Sequence, residues 1–303
     1  MNKTLFAKPA ALILVSILTT VGITSLNARP DNKLAPADVV AKHLDSIAAA
    51  DARGKINMAR IKGNCQLTVK AGGEGQSSGQ VVMASQGNMN VVNITYDGGE
   101  PATAFAFDGK QTTVTQYSPG RHTPLEAFFA EHQEIVKEGL VGGALSNSWP
   151  LLNLEQRNPK LEYQGLKKID GRELHLVKYS LRKGSELKIM LFFEVETFRH
   201  VRTEYTQTVY ASEQRRIAGG GGQMPSAQPA RQATQYLKAV EDFSDFKTEG
   251  GLSLPHVYKF DLEVQSQTRP ILVSWLFNLS EFTFNSPIDA SIFTVGITST
   301  KAN

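Results

Sequence analysis

The pentapeptide Gly75-Gln76-Ser77-Ser78-Gly79 has the G-x-S-x-G spacing of serine hydrolases, whose serine attacks an acyl carbon from a sharp strand-to-helix turn under an oxyanion hole. Here the run A-G-G-E-G-Q-S-S-G-Q sits between two strand-like segments with no helical pattern after it, which reads as strand and turn rather than a nucleophile. Six histidines, at 43, 122, 132, 175, 200 and 256, are the next candidates. None forms H-E-x-x-H or stands at ligand spacing from carboxylates, so no metal site is expected. His132 falls on an apolar helical stripe, as a pH-sensing or head-group-touching ring or, more simply, as a backbone-bonded core ring. His256 follows Pro255 at a strand start, a rim position. Asp242 and Asp245 stand three apart in a strand, face opposite sides and cannot work as an acid/base pair. The expected inventory is no catalytic residue, no metal and no cofactor.

The elements that would position these side chains follow from periodicity. Pro36 to Arg53 reads as a helix, with proline in its first turn, Gly54 after its end, and Val40, Leu44 and Ile47 at helical spacing. The period then changes to two. Ile61, Cys65, Leu67 and Val69 share one face, as do Val92, Ile94 and Tyr96, and then Phe105 and Phe107. Asp97-Gly98 and Asp108-Gly109 mark tight hairpins between these runs. Thr123, Pro124 and Glu126 form a capping box that opens a second helix, with Leu125, Phe128, Phe129, His132, Ile135 and Val136 in one stripe. Gly142-Gly143 breaks it before a short irregular piece around Trp149.

Strands resume at Leu161, with hairpins at Asp170-Gly171, Lys183-Gly184 and Gly250-Gly251. Leu187, Ile189, Leu191 and Phe193 share a face, as do Tyr258, Phe260, Leu262 and Val264, and then Ile271, Val273, Trp275, Phe277 and Leu279, so each strand is expected to have one dry side. Residues 217–234, rich in Gly, Pro, Gln and Ala, read as a flexible loop inside the second meander. The count is about eleven strands covered by two or three helices: a mainly β, α+β chain with a large curved antiparallel sheet or half-open β-barrel. So wide a sheet is not plugged by its own side chains, and the space that the helices leave is room for a ligand.

Composition narrows the setting. Lys3 and Lys8 precede an apolar run from Ala10 to Ile23 that is short for a membrane span, so residues 1–28 read as a cleaved signal peptide and 29–303 as one exported domain. Loss of those two lysines takes the formal charge from +3 to +1, which argues against a nucleic-acid partner. Cys65 is the sole cysteine, so neither an internal disulfide nor a Cys-based zinc site is available.

Three stretches, L-E-Y-Q-G-L-K-K-I-D-G-R-E-L-H-L-V-K-Y, L-K-I-M-L-F-F-E-V-E-T-F-R-H-V-R-T-E-Y and F-S-D-F-K-T-E-G-G-L-S-L-P-H, resemble the exported LolA-like proteins, the family of the periplasmic lipoprotein carrier. A-R-I-K-G after the first helix fits the same pattern; Glu194 with Thr197 stands where relatives usually carry an Asp, and the glycine-rich loop is long. The resemblance implies a hydrophobic cavity under helical lids and does not imply lipoproteins as the cargo; the function expected for such a cavity is a periplasmic, non-catalytic carrier or sensor of hydrophobic cargo, acyl chains of lipids or lipoproteins. The alternative is a cell-envelope protein-interaction module with a filled cavity and a protein partner. Peripheral contact with a membrane fits either. The residues expected to line the cavity are Leu125, Phe128, Phe129, His132, Trp149, Phe193, Tyr258, Phe260, Trp275 and Phe277.

Overall fold

The structure, a computed structural model, describes residues 34–71, 75–99, 101–116, 122–181, 185–209, 235–265 and 270–294. The signal segment 1–28, the Lys183-Gly184 hairpin and the 217–234 loop lie outside these residues. The helices are α1 (Pro36–Ile47), α2 (Ala50–Gly54), α3 (Pro124–Glu131), α4 (Gln133–Lys137) and α5 (Leu154–Arg157). The strands are β1 (Met58–Val69), β2 (Gly75–Gln86), β3 (Met89–Tyr96), β4 (Thr103–Phe107), β5 (Thr112–Val114) and β6 (Lys160–Ile169). They continue with β7 (Arg172–Ser180), β8 (Lys188–Glu194), β9 (His200–Val209), β10 (Gln235–Glu249), β11 (Leu252–Gln265) and β12 (Ile271–Phe284).

Among the described residues twelve strands form one antiparallel sheet in the order β5-β4-β3-β2-β1-β12-β11-β10-β9-β8-β7-β6. The chain runs outward from β1 to one edge, β5, and restarts at the opposite edge, β6, before returning to pair β12 with β1. The connection between the two edges therefore crosses the sheet, and its described part, residues 122–159, carries the capped helix block. An open curved sheet with helices over its inner face is the result. The hairpin turns expected at Asp97-Gly98, Asp108-Gly109, Asp170-Gly171 and Gly250-Gly251 all form, each glycine at positive φ.

Three local readings change. The predicted helix over 36–53 is broken at Ala48-Ala49, both extended, because the Arg53 Nη1 donates to the Leu44 and Ala48 carbonyls and satisfies the end of α1. The capping box at Thr123 forms as read, with Thr123 N donating to Glu126 Oε2 at 2.7 Å, but the helix stops at His132, whose φ of −112° and ψ of 47° divide α3 from α4. Nor does every strand have one dry side. β4 and most of β8 are buried on both faces. On the outer face Phe293 of a C-terminal 3-10 turn covers Ala84, Val91 and Ala106, and Leu174, Leu176, Met190, Phe192 and Val201 form a second small core.

The G-x-S-x-G run lies inside β2, where Ser77 pairs with Leu67 and Gly79 lies between Cys65 and Tyr96. A Cβ at Gly79 would stand 1.9 Å from the Thr95 carbonyl oxygen, so the glycine is a packing requirement of the sheet. Gly79→Ala is expected to cost about 2 kcal/mol through forced strand displacement. The urea midpoint checks this; an unchanged midpoint would mean that β2 and β3 separate freely there.

Candidate ligand-binding site

The space beneath the helices is mostly closed by the protein's own rings. Phe129, 1% exposed, stacks on Phe105 at 3.9 Å, meets Phe128 at 5.0 Å and approaches Phe260 at 5.7 Å. Phe128 continues to Tyr205 at 6.2 Å, and Tyr258 bridges Phe243 and Phe277 at 5.2 and 5.1 Å. The centre of the inner face is thus packed by rings from helix and sheet together, and the room the helices leave lies toward the ends of the sheet. Interdigitated aromatics from helix and sheet reach far enough across a curved sheet to meet one another.

Polar pins set into this core hold the crossing segment to the strands. Asn90 Nδ2 donates to the Val136 carbonyl at 3.0 Å, Tyr179 OH to Glu138 Oε2 at 2.6 Å, and Asn147 N to Ser85 Oγ at 2.9 Å. The deepest is Glu241, 0% exposed. It accepts from Gly142 N at 2.8 Å, Tyr258 OH at 2.8 Å and Tyr205 OH at 2.7 Å. Burial pushes its carboxyl up from the usual carboxylate range to about 7, against the lowering effect of its three donors.

An open cavity of about 380 Å³ remains at one end of the sheet. Its walls are Leu67 and Val69 of β1, Ile271, Val273 and Trp275 of β12, Tyr96 of β3 and Pro124 at the start of α3. The cause is local. Opposite Leu67 and Cys65, β2 offers Ser77 and Gly79, so no bulky side chain rises between β1 and β3 at this end. Tyr96 and Trp275 meet across that low ground, with Trp275 Nε1 donating to the Tyr96 hydroxyl at 3.0 Å. Burial pushes the Tyr96 hydroxyl up to about 12, so it stays neutral and apolar chains meet no charge on this wall. The rim is polar. Thr103 and Thr123 stand there, and Thr103 donates to the buried Glu126 at 3.3 Å.

Of the ten residues expected to line a cavity, Trp275 does so here. Trp149 lies under a separate cleft, at the far end of β1. Leu125, Phe128, Phe129, Phe193, Tyr258, Phe260 and Phe277 are buried in the packed core. His132, 8% exposed, ends α3 against Phe128 with its Nε2 unpaired among the described residues, and burial lowers it to about 4. His256 lies five residues into β11 rather than at a strand start, partly buried, with its ring 4.7 Å from Phe282 and Nε2 3.1 Å from Glu249. Asp242 is held by Arg202 at 2.6 Å in an outer-face ion network with Glu204 and Asp170. Among the described residues no group of His, Cys, Asp and Glu is placed to hold a metal. Cys65 is buried, and desolvation raises its thiol to about 12, well away from thiolate chemistry.

The walls Leu67, Val69, Ile271 and Val273 escaped the sequence-based list although each had been placed on a dry stripe; the signal was the small residues across from them. Glu241 also escaped it, though it shares parity with Leu237, Ala239 and Phe243 on β10, an acid on a dry face.

No protein-family model matches the chain, and no curated protein matches it. Among solved structures the chain is similar to a LolA superfamily protein, NE2245 from Nitrosomonas europaea, at 12% identity and TM-score 0.45, over 86% of this chain and 97% of that one. It is also similar to a DUF1329 family protein from Desulfovibrio piger, at 10% identity and TM-score 0.38, over 86% and 98% of the two chains. A third is a putative outer membrane lipoprotein-sorting protein domain from Vibrio parahaemolyticus, at 9% identity and TM-score 0.37, over 85% and 95%. At these identities the likeness to LolA superfamily proteins is one of fold alone.

Proposed function

We propose that the protein is a non-catalytic, periplasmic carrier or sensor of one apolar chain, an acyl chain of a lipid or lipoprotein, bound in the seam between β1, β12 and the start of α3. The observation that carries this reading is the apolar cavity of about 380 Å³ with its polar rim. That volume falls in the range of small-molecule sites, roughly 300–1,000 Å³. It takes a segment of one chain, not two or three chains. About ten buried methylenes would supply ~8 kcal/mol gross, most of it offset by ~4–15 kcal/mol of association and ordering costs. Binding is therefore weak and reversible, as a carrier that hands its cargo on requires.

Phe129→Asp reports on folding, because it places a carboxylate against Phe105, Phe128 and Phe260. Val69 and Ile271 are half-buried walls, so Val69→Asp and Ile271→Asp test the seam with the core intact. Each should weaken binding of a dodecanoate probe about tenfold or more, followed by Trp275 fluorescence. Undiminished binding in both folded variants would remove the seam as the site.

A second reading is favoured by the packed centre of the inner face: an envelope module that binds a protein on its exterior. It predicts that the wild-type chain ignores dodecanoate and instead co-purifies with a stoichiometric partner from its native envelope.

A further inference from the structure

A second cleft lies at the other end of the sheet, where α1, α2, the β2–β3 and β10–β11 turns and the segment around Trp149 converge. Its volume is about 840 Å³. β1 runs from this cleft, beside Asn57, to the apolar seam at Val69, so the two lie roughly 36 Å apart at ~3.3 Å per residue, with the aromatic core between them. We propose that this cleft is a second binding site, independent of the apolar seam, for a phosphate-bearing polyol: a sugar or glycerol phosphate, free or as a lipid head group.

The chemistry of its walls selects that class. Among the described residues no aspartate or glutamate lines the cleft, while two guanidinium groups, Arg53 and Arg157, and the carboxamides of Asn57, Asn88, Asn153 and Gln156 do. Arginine matches the oxygen spacing of a phosphate with paired N–H groups. Carboxamides both donate and accept, which suits hydroxyl groups around an anion better than it suits a bare ion.

Arg53 is not a loose surface cation. Its Nη1 is fixed by the Leu44 and Ala48 carbonyls in the break between α1 and α2, so its charge is held at the wall before any ligand arrives. Asp45, 3.8 Å from Arg53, is on the exposed side of α1 and does not line the cleft. Arg157 ends α5 and also borders an adjoining groove in which Glu134 and Glu138 lie. Gly54 and Gly87 let a ligand approach the backbone where side chains would exclude it.

A second feature marks the same wall. Asn147 Nδ2 and Trp149 Nε1 are buried donors with no partner among the described residues, and both belong to residues that line the cleft. Buried donors are nearly always paired. Two unpaired donors on one wall mark a floor that a small shift on binding would satisfy, and that shift would move the Trp149 ring.

The chain has two tryptophans, one at each site, which makes the test direct. In Trp275→Phe, the remaining emission reports the cleft. Glycerol 1-phosphate should produce a saturable change, glycerol none, and Arg157→Gln should weaken binding about tenfold. Calorimetry on the unsubstituted chain checks the same affinities without relying on the Phe variant. Binding to phosphatidylglycerol vesicles but not to glycerol 1-phosphate, lost in Arg157→Gln, supports the site and assigns the phosphate to a lipid head group.

Absence of binding to both probes overturns the proposal. So does binding that survives Arg157→Gln and Arg53→Lys together, because the phosphate would then lie elsewhere. Dodecanoate binding read through Trp275 in a Trp149→Phe variant is a separate measurement, so failure at one end of the sheet leaves the other standing.

Discussion

Glu241→Ala is expected to cost the fold about 3–6 kcal/mol, while Glu241→Gln costs almost nothing below pH 4.5 and is about 3 kcal/mol more stable than wild type from neutral pH upward. The alanine strands three buried donors, Gly142 N, Tyr205 OH and Tyr258 OH, at roughly 1–3 kcal/mol each less what the hydroxyls recover by turning. Glutamine keeps an acceptor for Gly142 and Tyr258 and can donate through its amide to the Tyr205 oxygen. That hydroxyl stays neutral, since burial and the neighbouring Glu241 hold it well above its ordinary range.

The sign of the pH effect follows from the direction of the shift. In the fold Glu241 titrates near 7, above its unfolded value of 4.5, so folding binds a proton between those limits. Its contribution is present in full below 4.5 and is lost as pH rises through 7. The interval corresponds to about 3 kcal/mol. Urea midpoints at several values from pH 5 to 8.5 should show wild type losing ground relative to Glu241→Gln as pH rises. Parallel curves would mean that Glu241 is ionised in the fold at low pH and that its three donors outweigh its burial.

That latch also fixes where the crossing segment sits on the sheet. Gly142 sits at positive φ just where the crossing segment turns into the short piece bearing Trp149, and Glu241 ties this turn to β10 at the centre of the sheet. A buried acid there fixes the register between crossing segment and strands, which apolar rings alone do not specify. At the end of the sheet that carries the seam, the start of α3 is tied to the strands through Glu126, which accepts from Thr103 at 3.3 Å and from Thr115 at 3.0 Å.

Much of this architecture can be read from residue order. Glycine-bearing turns and period-two alternation give strands and hairpins directly, and the Thr123-Pro124-Glu126 box marks where the helical crossing begins. These are local signals, each carried by a few neighbours in the chain. The location of the void is not local. Alternation says that Phe128, Phe260 and Val69 face inward, but not how far each reaches across a curved sheet; the long rings meet in the middle and leave space where β2 carries Ser77 and Gly79. Likewise the parity of Glu241 marks it as out of place on β10, but its three donors come from β9, β11 and the crossing segment, brought together only by the fold.

Acid is expected to unfold the chain through its histidines. His43 and His132 are lowered by burial to about 4, and His200, buried beside His43 and stacked on Trp149 at 5.1 Å, is held well below 6.5. Depressed histidines remain neutral in the fold while the unfolded chain takes up protons from pH 6.5 downward. Their contribution is therefore intact above 6.5 and is lost as pH falls toward 4, by about 3 kcal/mol for each of His43 and His132.

Glu241 works in the opposite direction over the same range, which leaves a net uptake of about two protons on unfolding near pH 5. His132 is the informative position. Its Nε2 has no partner among the described residues and its ring lies on Phe128, so leucine removes a proton-binding group from an apolar site at little packing cost. His132→Leu should match wild type at pH 8 and exceed it by up to about 3 kcal/mol near pH 4.5, with a shallower acid limb. His43 is different. Its Nδ1 donates to the Phe198 carbonyl at 3.1 Å, so a leucine there orphans an acceptor and costs stability at every pH. An acid limb unchanged in His132→Leu would show that this imidazole reaches water as α3 and α4 part, and that the joint between them opens before the sheet does.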